Sequence, residues 1–270
     1  MNRETLLESS ATSSSVSLSK PIEIYVFVDP LCMNSWALQP LLRRLQVEYE
    51  RYFTLKIVLH TSLAKTNSCC IVNMDDAKAC KKNHPAFPSI ALKAAEFQGK
   101  RAAFRFLSKL FEYTYLKKRN VLSFSVLVEI AESLGLDVDE FILDFSSHHV
   151  LRSLQVDLHL ANEMEVEDAP SFVFFNENIE DEGLKVNGLH SYDIYEQILE
   201  EMVGHEITPD APPTLDELFM RFDSLATNEI AEIYNIPEKS AERELKKQLL
   251  LQKIERLPLS NMTLWRKRIN

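Results

Sequence analysis

Glycine is scarce, with five in 270 residues. That excludes glycine-rich loops that cradle phosphates and argues against a turn-dense all-β chain. Cysteine is scarce as well, at Cys32, Cys69, Cys70 and Cys80 only. Four unevenly placed thiols without a signal peptide read as reduced cytosolic cysteines rather than a disulfide framework. Residues 1–20 hold no long apolar run, so neither a secretory leader nor a membrane anchor is expected there. Their Ser/Thr-rich composition predicts a disordered arm. Positive charge is in deficit, 30 Lys/Arg against 40 Asp/Glu, for a formal net charge of −10. A general nucleic-acid-binding surface is therefore disfavoured.

What is present is apolar. Hydrophobic residues make up 46% of the chain, enough for one large domain with an insertion or a main domain with a small companion. Ile22–Val28 is a continuous β-prone run stopped by Asp29-Pro30, and Phe53–Leu59 is a second. Between them a helical pattern starts near Ser35 and turns Trp36, Leu38, Leu41, Leu42 and Leu45 inward. This is a βαβ unit with parallel strands. Residues 61–82 are polar and aperiodic. From Pro88 to Met164 apolar residues recur at three- and four-residue spacing, which predicts a block of helices. The β signal returns at Ser171–Phe175, directly after Ala169-Pro170, followed by a short partner strand within Gly183–Gly188 and an amphipathic helix over Tyr192–Met202.

The order β-α-β, helical block, β-β-α predicts an α/β protein with a thioredoxin-like sheet of the DsbA type and a helical insertion over about 62–164. The main domain is expected over 21–204. Residues 205–213, with Pro209, Pro212 and Pro213, read as a linker. Beyond it, 214–270 is expected to form a small helical domain with helices over Leu215–Leu225, Asn228–Tyr234 and Glu238–Leu257 in a helix-turn-helix-like order.

The strand-to-helix turn Asp29-Pro-Leu-Cys32-Met-Asn-Ser35-Trp36 carries the candidate chemistry. A thioredoxin oxidoreductase places the first cysteine of C-x-x-C at this helix start, where free N–H groups favour thiolate. The second cysteine then resolves the mixed disulfide. Here Ser35 stands at the resolving position, so Cys32 can be captured by a partner thiol but has no internal disulfide. Pro170 holds the position of the cis-proline that faces this turn in thioredoxin folds. No catalytic residue is expected, and Cys32, Ser35 and Pro170 are read as a vestigial site.

Cys69, Cys70 and Cys80 with His84 admit a zinc site or a redox sensor. Adjacent cysteines are not a zinc knuckle, and incidental thiols are the simplest reading. His148, His149 and His159 read as surface or satisfied histidines. Trp265, beside Arg266-Lys-Arg, reads as a docking or core aromatic. From Glu238 to Asn270 nine Lys/Arg face four Glu, an excess of five positive charges, which leaves the rest of the chain at −15. That tail is a solvated helical face, a contact for the chain's own acidic remainder, or a contact for an acidic partner.

Several blocks together resemble the SpxH (YjbH) family. They are Pro21–Cys32 followed by Trp36, Ala91–Gly99, Pro170–Asn176, Asp181–Leu199 and Asn228–Tyr234. The resemblance runs from about Pro21 almost to the end, and Asp181–Leu199 is its most specific stretch. It implies a DsbA-like thioredoxin domain and a winged-helix-like C-terminal domain. It also implies a cytoplasmic adaptor that binds the transcriptional regulator Spx and promotes its degradation by the ClpXP protease, with no cofactor. Some members keep a C-P-E-C turn and some carry a His/Cys-rich N-terminus associated with zinc; this chain has Ser35 and neither residue type in 1–20. No metal is expected. The rival readings are a monothiol oxidoreductase acting through Cys32 and a nucleic-acid binder acting through the basic tail.

Overall fold

In the computed structural model, which describes residues 22–61, 83–176, 178, 182–258 and 263–268, the alternation of β1 (Ile22–Val28) sets up two cores. Ile22, Ile24, Val26 and Val28 face the larger one, and Phe27 faces the smaller. β1 pairs in parallel with β2 (Phe53–Leu59) and antiparallel with β3 (Ser171–Phe175). β3 in turn pairs antiparallel with β4 (Leu184–Asn187). The sheet order is β2-β1-β3-β4. The β1–β2 crossover holds two helices, α1 (Met33–Ala37) and α2 (Gln39–Tyr49). Pro40 lies in the first turn of α2, where its missing N–H removes no helical bond.

The insertion between β2 and β3 contains α3 (Phe87–Phe97), α4 (Lys100–Phe111), a π-helical turn (Glu112–Leu116), α5 (Phe124–Ser133), α6 (Val138–Phe145) and α7 (His148–Glu163). Aromatic pairs knit it together, Phe106 with Phe141 and Phe145 with both Phe87 and Phe124. One buried ion pair ties it to the sheet. Lys93 Nζ on α3 donates to both oxygens of Asp157 on α7 at 3.0–3.1 Å, and Asp157 Oδ2 also accepts the Leu59 N–H at 2.9 Å. The small core behind the sheet joins Phe27, Val58 and Val173 to Ala161 of α7. Helix α8 (Tyr192–Val203) seats Tyr195 and Leu199 in the larger core. It ends at Gly204, whose φ of 79° lies in the left-handed region that a Cβ disfavours.

Residues 205–213 have no regular structure and lie along the end of α2. The Asp210 N–H donates to Glu48 O at 2.7 Å, and the Thr208 N–H to the Tyr52 hydroxyl at 3.2 Å. The C-terminal unit then runs α9 (Leu215–Arg221), β5 (Leu225–Ala226), α10 (Thr227–Ile233), α11 (Glu238–Leu250), β6 (Ile254–Pro258) and β7 (Thr263–Lys267). Its sheet has the order β5-β7-β6. Two helical expectations are corrected here. The first helix stops at Arg221 and Leu225 is in a strand. The third stops at Leu250, because Gln252 turns the chain with φ 57° and a hairpin follows. Helix, short strand, two helices and a hairpin make a winged-helix-like arrangement. Trp265 of β7 is fully buried at its centre, and its indole N–H donates to Thr227 Oγ1 at 2.9 Å. This makes Trp265 a core residue.

The unit packs onto α2 and α4. Val47 of α2 belongs to its core. Arg43 Nη1 meets Glu229 Oε1 at 2.8 Å and Ser224 O at 3.2 Å in a largely buried contact. Arg105 grips Asp223 with two bonds of 2.8 Å. Arg221 reaches Gln46 O at 3.1 Å and Glu50 at 3.0 Å.

Candidate functional site at the Cys32 turn

The turn is built by its own polar atoms. The Leu31 N–H donates to Asp29 Oδ1 at 2.9 Å, and the Cys32 N–H to Asp29 O at 3.0 Å. Cys32 is the N-terminal cap of α1, with extended backbone (φ −89°, ψ 127°). Ser35 is fully buried, and its Oγ accepts the Asp29 N–H at 3.1 Å. The hydroxyl at the resolving position is therefore a structural acceptor that closes the turn.

Across the turn, Cys32 Sγ donates to Ala169 O at 3.5 Å, and the Ala169–Pro170 peptide is cis. Pro170 O accepts the Gly188 N–H at 2.8 Å, which ties this loop to the far end of β4. Cys32, Ser35 and Pro170 thus come together although 137 residues separate Cys32 from Ala169.

Three contributors to the site escape sequence reasoning. The first is Tyr115. Its ring stacks on Trp36 with centroids 5.1 Å apart, and its hydroxyl donates to Leu31 O at 2.6 Å. Burial, with Cys32 and Asp29 nearby, pushes its phenol pKa up to about 12, so it stays a donor at neutral pH. The π-turn delivers it. The Lys117 N–H reaches back five residues to Glu112 O at 2.9 Å, and Thr114 Oγ1 donates to Leu110 O at 2.8 Å. Such single turns recur where a helix must re-aim side chains. The tyrosine-rich Glu112-Tyr-Thr-Tyr115 is the one sequence cue.

The second is Glu112, buried where the insertion meets the C-terminal unit. Its Oε2 accepts from Lys109 Nζ at 3.0 Å and lies 3.4 Å from Ser224 Oγ. Lys117 Nζ forms an ion pair with Oε1 at 3.0 Å. Burial pushes the carboxyl pKa up. The two ammonium groups outweigh it and hold the pKa below the usual carboxylate range.

The third is the C-terminal unit itself. A cleft of about 200 Å³ opens beside Trp36, lined by Met33, Trp36, Pro40 and Leu116 on one side and by Ala226 and Leu264 on the other. The helix that follows the C-x-x-S turn therefore borders a cleft whose far wall comes from the C-terminal unit.

Chemically, Cys32 can enter a mixed disulfide with a thiol-bearing partner, and no internal thiol at position 35 can release it. Among the described residues, no three His, Cys, Asp or Glu side chains gather as a metal site. Cys69, Cys70 and Cys80 lie outside the described residues. His84 Nδ1 accepts the Ala86 N–H at 3.1 Å, and its ring sits 5.5 Å from Phe87. His159 is exposed and lies 3.5 Å from Glu163. Among the described residues, no helix is long and apolar enough to cross a membrane.

Comparison with known proteins agrees with this geometry. The thioredoxin family model named Thioredoxin_5 matches residues 25–197. Among solved structures, a putative protein disulfide isomerase from Nitrosomonas europaea superposes with a TM-score of 0.55 at 15% identity, covering 69% of this chain and 98% of that one. Wolbachia pipientis α-DsbA1 superposes with a TM-score of 0.53 at 12% identity, covering 68% and 86%. These share the fold. Over the sequence, the ClpXP adapter protein SpxH of Shouchella clausii is 40% identical across 92% of this chain and 89% of its own length. Those of Bacillus subtilis and Staphylococcus aureus are 36% and 35% identical over the same shares. A thioredoxin-like sheet with a C-x-x-S turn, continued by a docked winged-helix-like unit and matched nearly end to end, places this chain in the SpxH family.

Proposed function

We propose that this protein is a cytoplasmic, non-enzymatic adaptor that binds the regulator Spx and promotes its degradation by the ClpXP protease. The observation that carries the reading is the match to SpxH proteins over 92% of the chain, C-terminal unit included. A likeness confined to the thioredoxin-like part would have pointed to the fold alone. The site geometry is consistent with it. Ser35 is committed to holding the turn, and tethering needs complementary surfaces rather than a thiol pair.

Binding would raise the local concentration of Spx at the unfoldase and hold its degradation signal in an accessible form. Neither step breaks or makes a bond in the adaptor. The reading requires a direct complex. Purified Spx and this protein, mixed at micromolar concentration, should co-elute as a stoichiometric species in size-exclusion chromatography. Separate elution at every mixing ratio would remove the basis of the proposal. The rival monothiol oxidoreductase, which the half-buried Cys32 beside Ala169 O keeps in view, predicts instead turnover of a glutathione mixed disulfide.

A further inference from the structure

The basic excess of the C-terminal unit is an organised face. On α11, Lys239, Arg243, Lys246 and Leu250 follow one another at spacings of four, three and four, so they share one stripe of the helix. All four are exposed, while Ala241 and Leu245 on the opposite side are buried in the unit's core. Lys246 pairs with Glu242 at 2.7 Å; Lys239 and Arg243 make no ion pair among the described residues. The hairpin adds to the stripe. Arg256 of β6 lies near enough to Glu242 to help Lys246 hold that carboxyl below its usual range. Lys253 precedes β6 and Lys267 pairs with Ile254 in the hairpin register, both exposed.

An apolar element sits at the end of the stripe. Leu250 is 82% exposed and Leu251 63% exposed, at the helix terminus where the chain turns through Gln252. Two adjacent leucines this open are out of place on a purely solvated basic helix. They form an apolar anchor with cations around it, the composition of a protein docking surface.

We propose that this face of α11 and the β6–β7 hairpin docks an acidic protein segment that carries apolar side chains, with carboxylates meeting Lys239, Arg243 and Lys246 and an apolar residue meeting Leu250 and Leu251. Helix α11 has the place of the recognition helix in a helix-turn-helix, which makes duplex DNA the competing occupant. Two observations favour protein. Glu238, Glu242 and Glu244 interrupt the cations on the same helix. The leucines gain nothing from phosphates. The surface lies on the C-terminal unit, away from Cys32, and its use does not depend on the identity of Spx or the protease.

The test uses the full chain and three fluorescent probes, measured by anisotropy at about 0.1 M salt, where the Debye length is about 10 Å. One is a peptide alternating Glu with Leu. The second is a peptide of equal charge with Ser replacing Leu. The third is a 20-base-pair duplex DNA of arbitrary sequence. The Glu/Leu peptide should bind at least tenfold tighter than either of the others. The triple variant K239E/R243E/K246E should weaken it at least tenfold, and L250S/L251S should reduce its affinity to that of the Glu/Ser peptide, with unchanged circular dichroism in both variants. Tighter binding of DNA, equal binding of the two peptides, no binding of the Glu/Leu peptide, or an unaffected triple variant would each overturn the proposal.

Discussion

The buried hydroxyl of Ser35 accepts the backbone N–H of Asp29 at 3.1 Å. The position that would carry the resolving thiol of a thioredoxin oxidoreductase here closes the turn that begins α1. Ser35→Ala removes this acceptor from a fully buried site and should lower stability by about 1–2 kcal/mol. Urea unfolding monitored by tryptophan fluorescence reads the change. A loss below about 0.3 kcal/mol would mean that the hydroxyl has no structural role.

Cys32 is placed beside the cis-Pro loop without a thiol partner at position 35. In the adaptor account its sulfur is a packed side chain with one weak hydrogen bond. Cys32→Ser should bind Spx and stimulate its degradation much as the parent does, with or without oxidant. If that variant loses stimulation while its melting curve and circular dichroism are unchanged, thiol chemistry belongs in the mechanism and the monothiol reading takes precedence.

Arg43 is one of the residues that tie the C-terminal unit to α2, through Glu229 and Ser224. Removing it leaves Glu229 buried without its ion-pair partner, and breaking one side of such a pair costs about 3–5 kcal/mol. Arg43→Ala should loosen the contact between α2 and α10 before it unfolds the thioredoxin-like sheet. Limited proteolysis should then cut faster within residues 205–213. Equal cleavage rates in variant and parent would show that the ion pair does not hold the two parts together.

Glu112 gives a pH signature. Lys109 and Lys117 hold its pKa below the ordinary carboxylate range despite the burial that opposes them. A carboxyl whose folded pKa is depressed contributes stability that is present above the unfolded pKa and is lost as pH falls through the folded one. Glu112→Gln should therefore be less stable than the parent at pH 7, by about 3–5 kcal/mol. The gap should narrow as pH falls from about 4.5. Denaturant titrations at pH 7 and pH 3.5 decide it. A gap that widens on acidification would contradict the sign. Asp157 works the other way: burial pushes its pKa up although Lys93 opposes the shift. Its contribution is greatest below the unfolded value and falls as pH rises through the folded one, so the comparison must be made within the Glu112 pair of proteins.

The sheet was legible because its signal is local. Ile22–Val28 alternates between two cores, and Phe53–Leu59 is bounded by polar residues, so period and length identify both strands. The ends of β1 and β3, which carry Cys32 and Pro170 to one another, were legible for the same reason. The hairpin was not. Leu250, Ile254 and Leu257 follow one another at four and then three residues, as they would on a helix, and the turn is made by Gln252 at φ 57° with no glycine to announce it. Tyr115, Glu112 and the Arg43–Glu229 pair were illegible for a different reason. Their partners lie 84, 112 and 186 residues away, and a π-turn shifts the first two out of the register that an α-helical reading assigns.

The central claim is the adaptor role, and its most direct measurement is the half-life of purified Spx in a reconstituted ClpXP reaction with ATP, with and without this protein. The account predicts faster loss of Spx as the protein is titrated, saturating near one adaptor per Spx, and the same acceleration with the Cys32→Ser variant. An unchanged half-life at saturating concentration would contradict it.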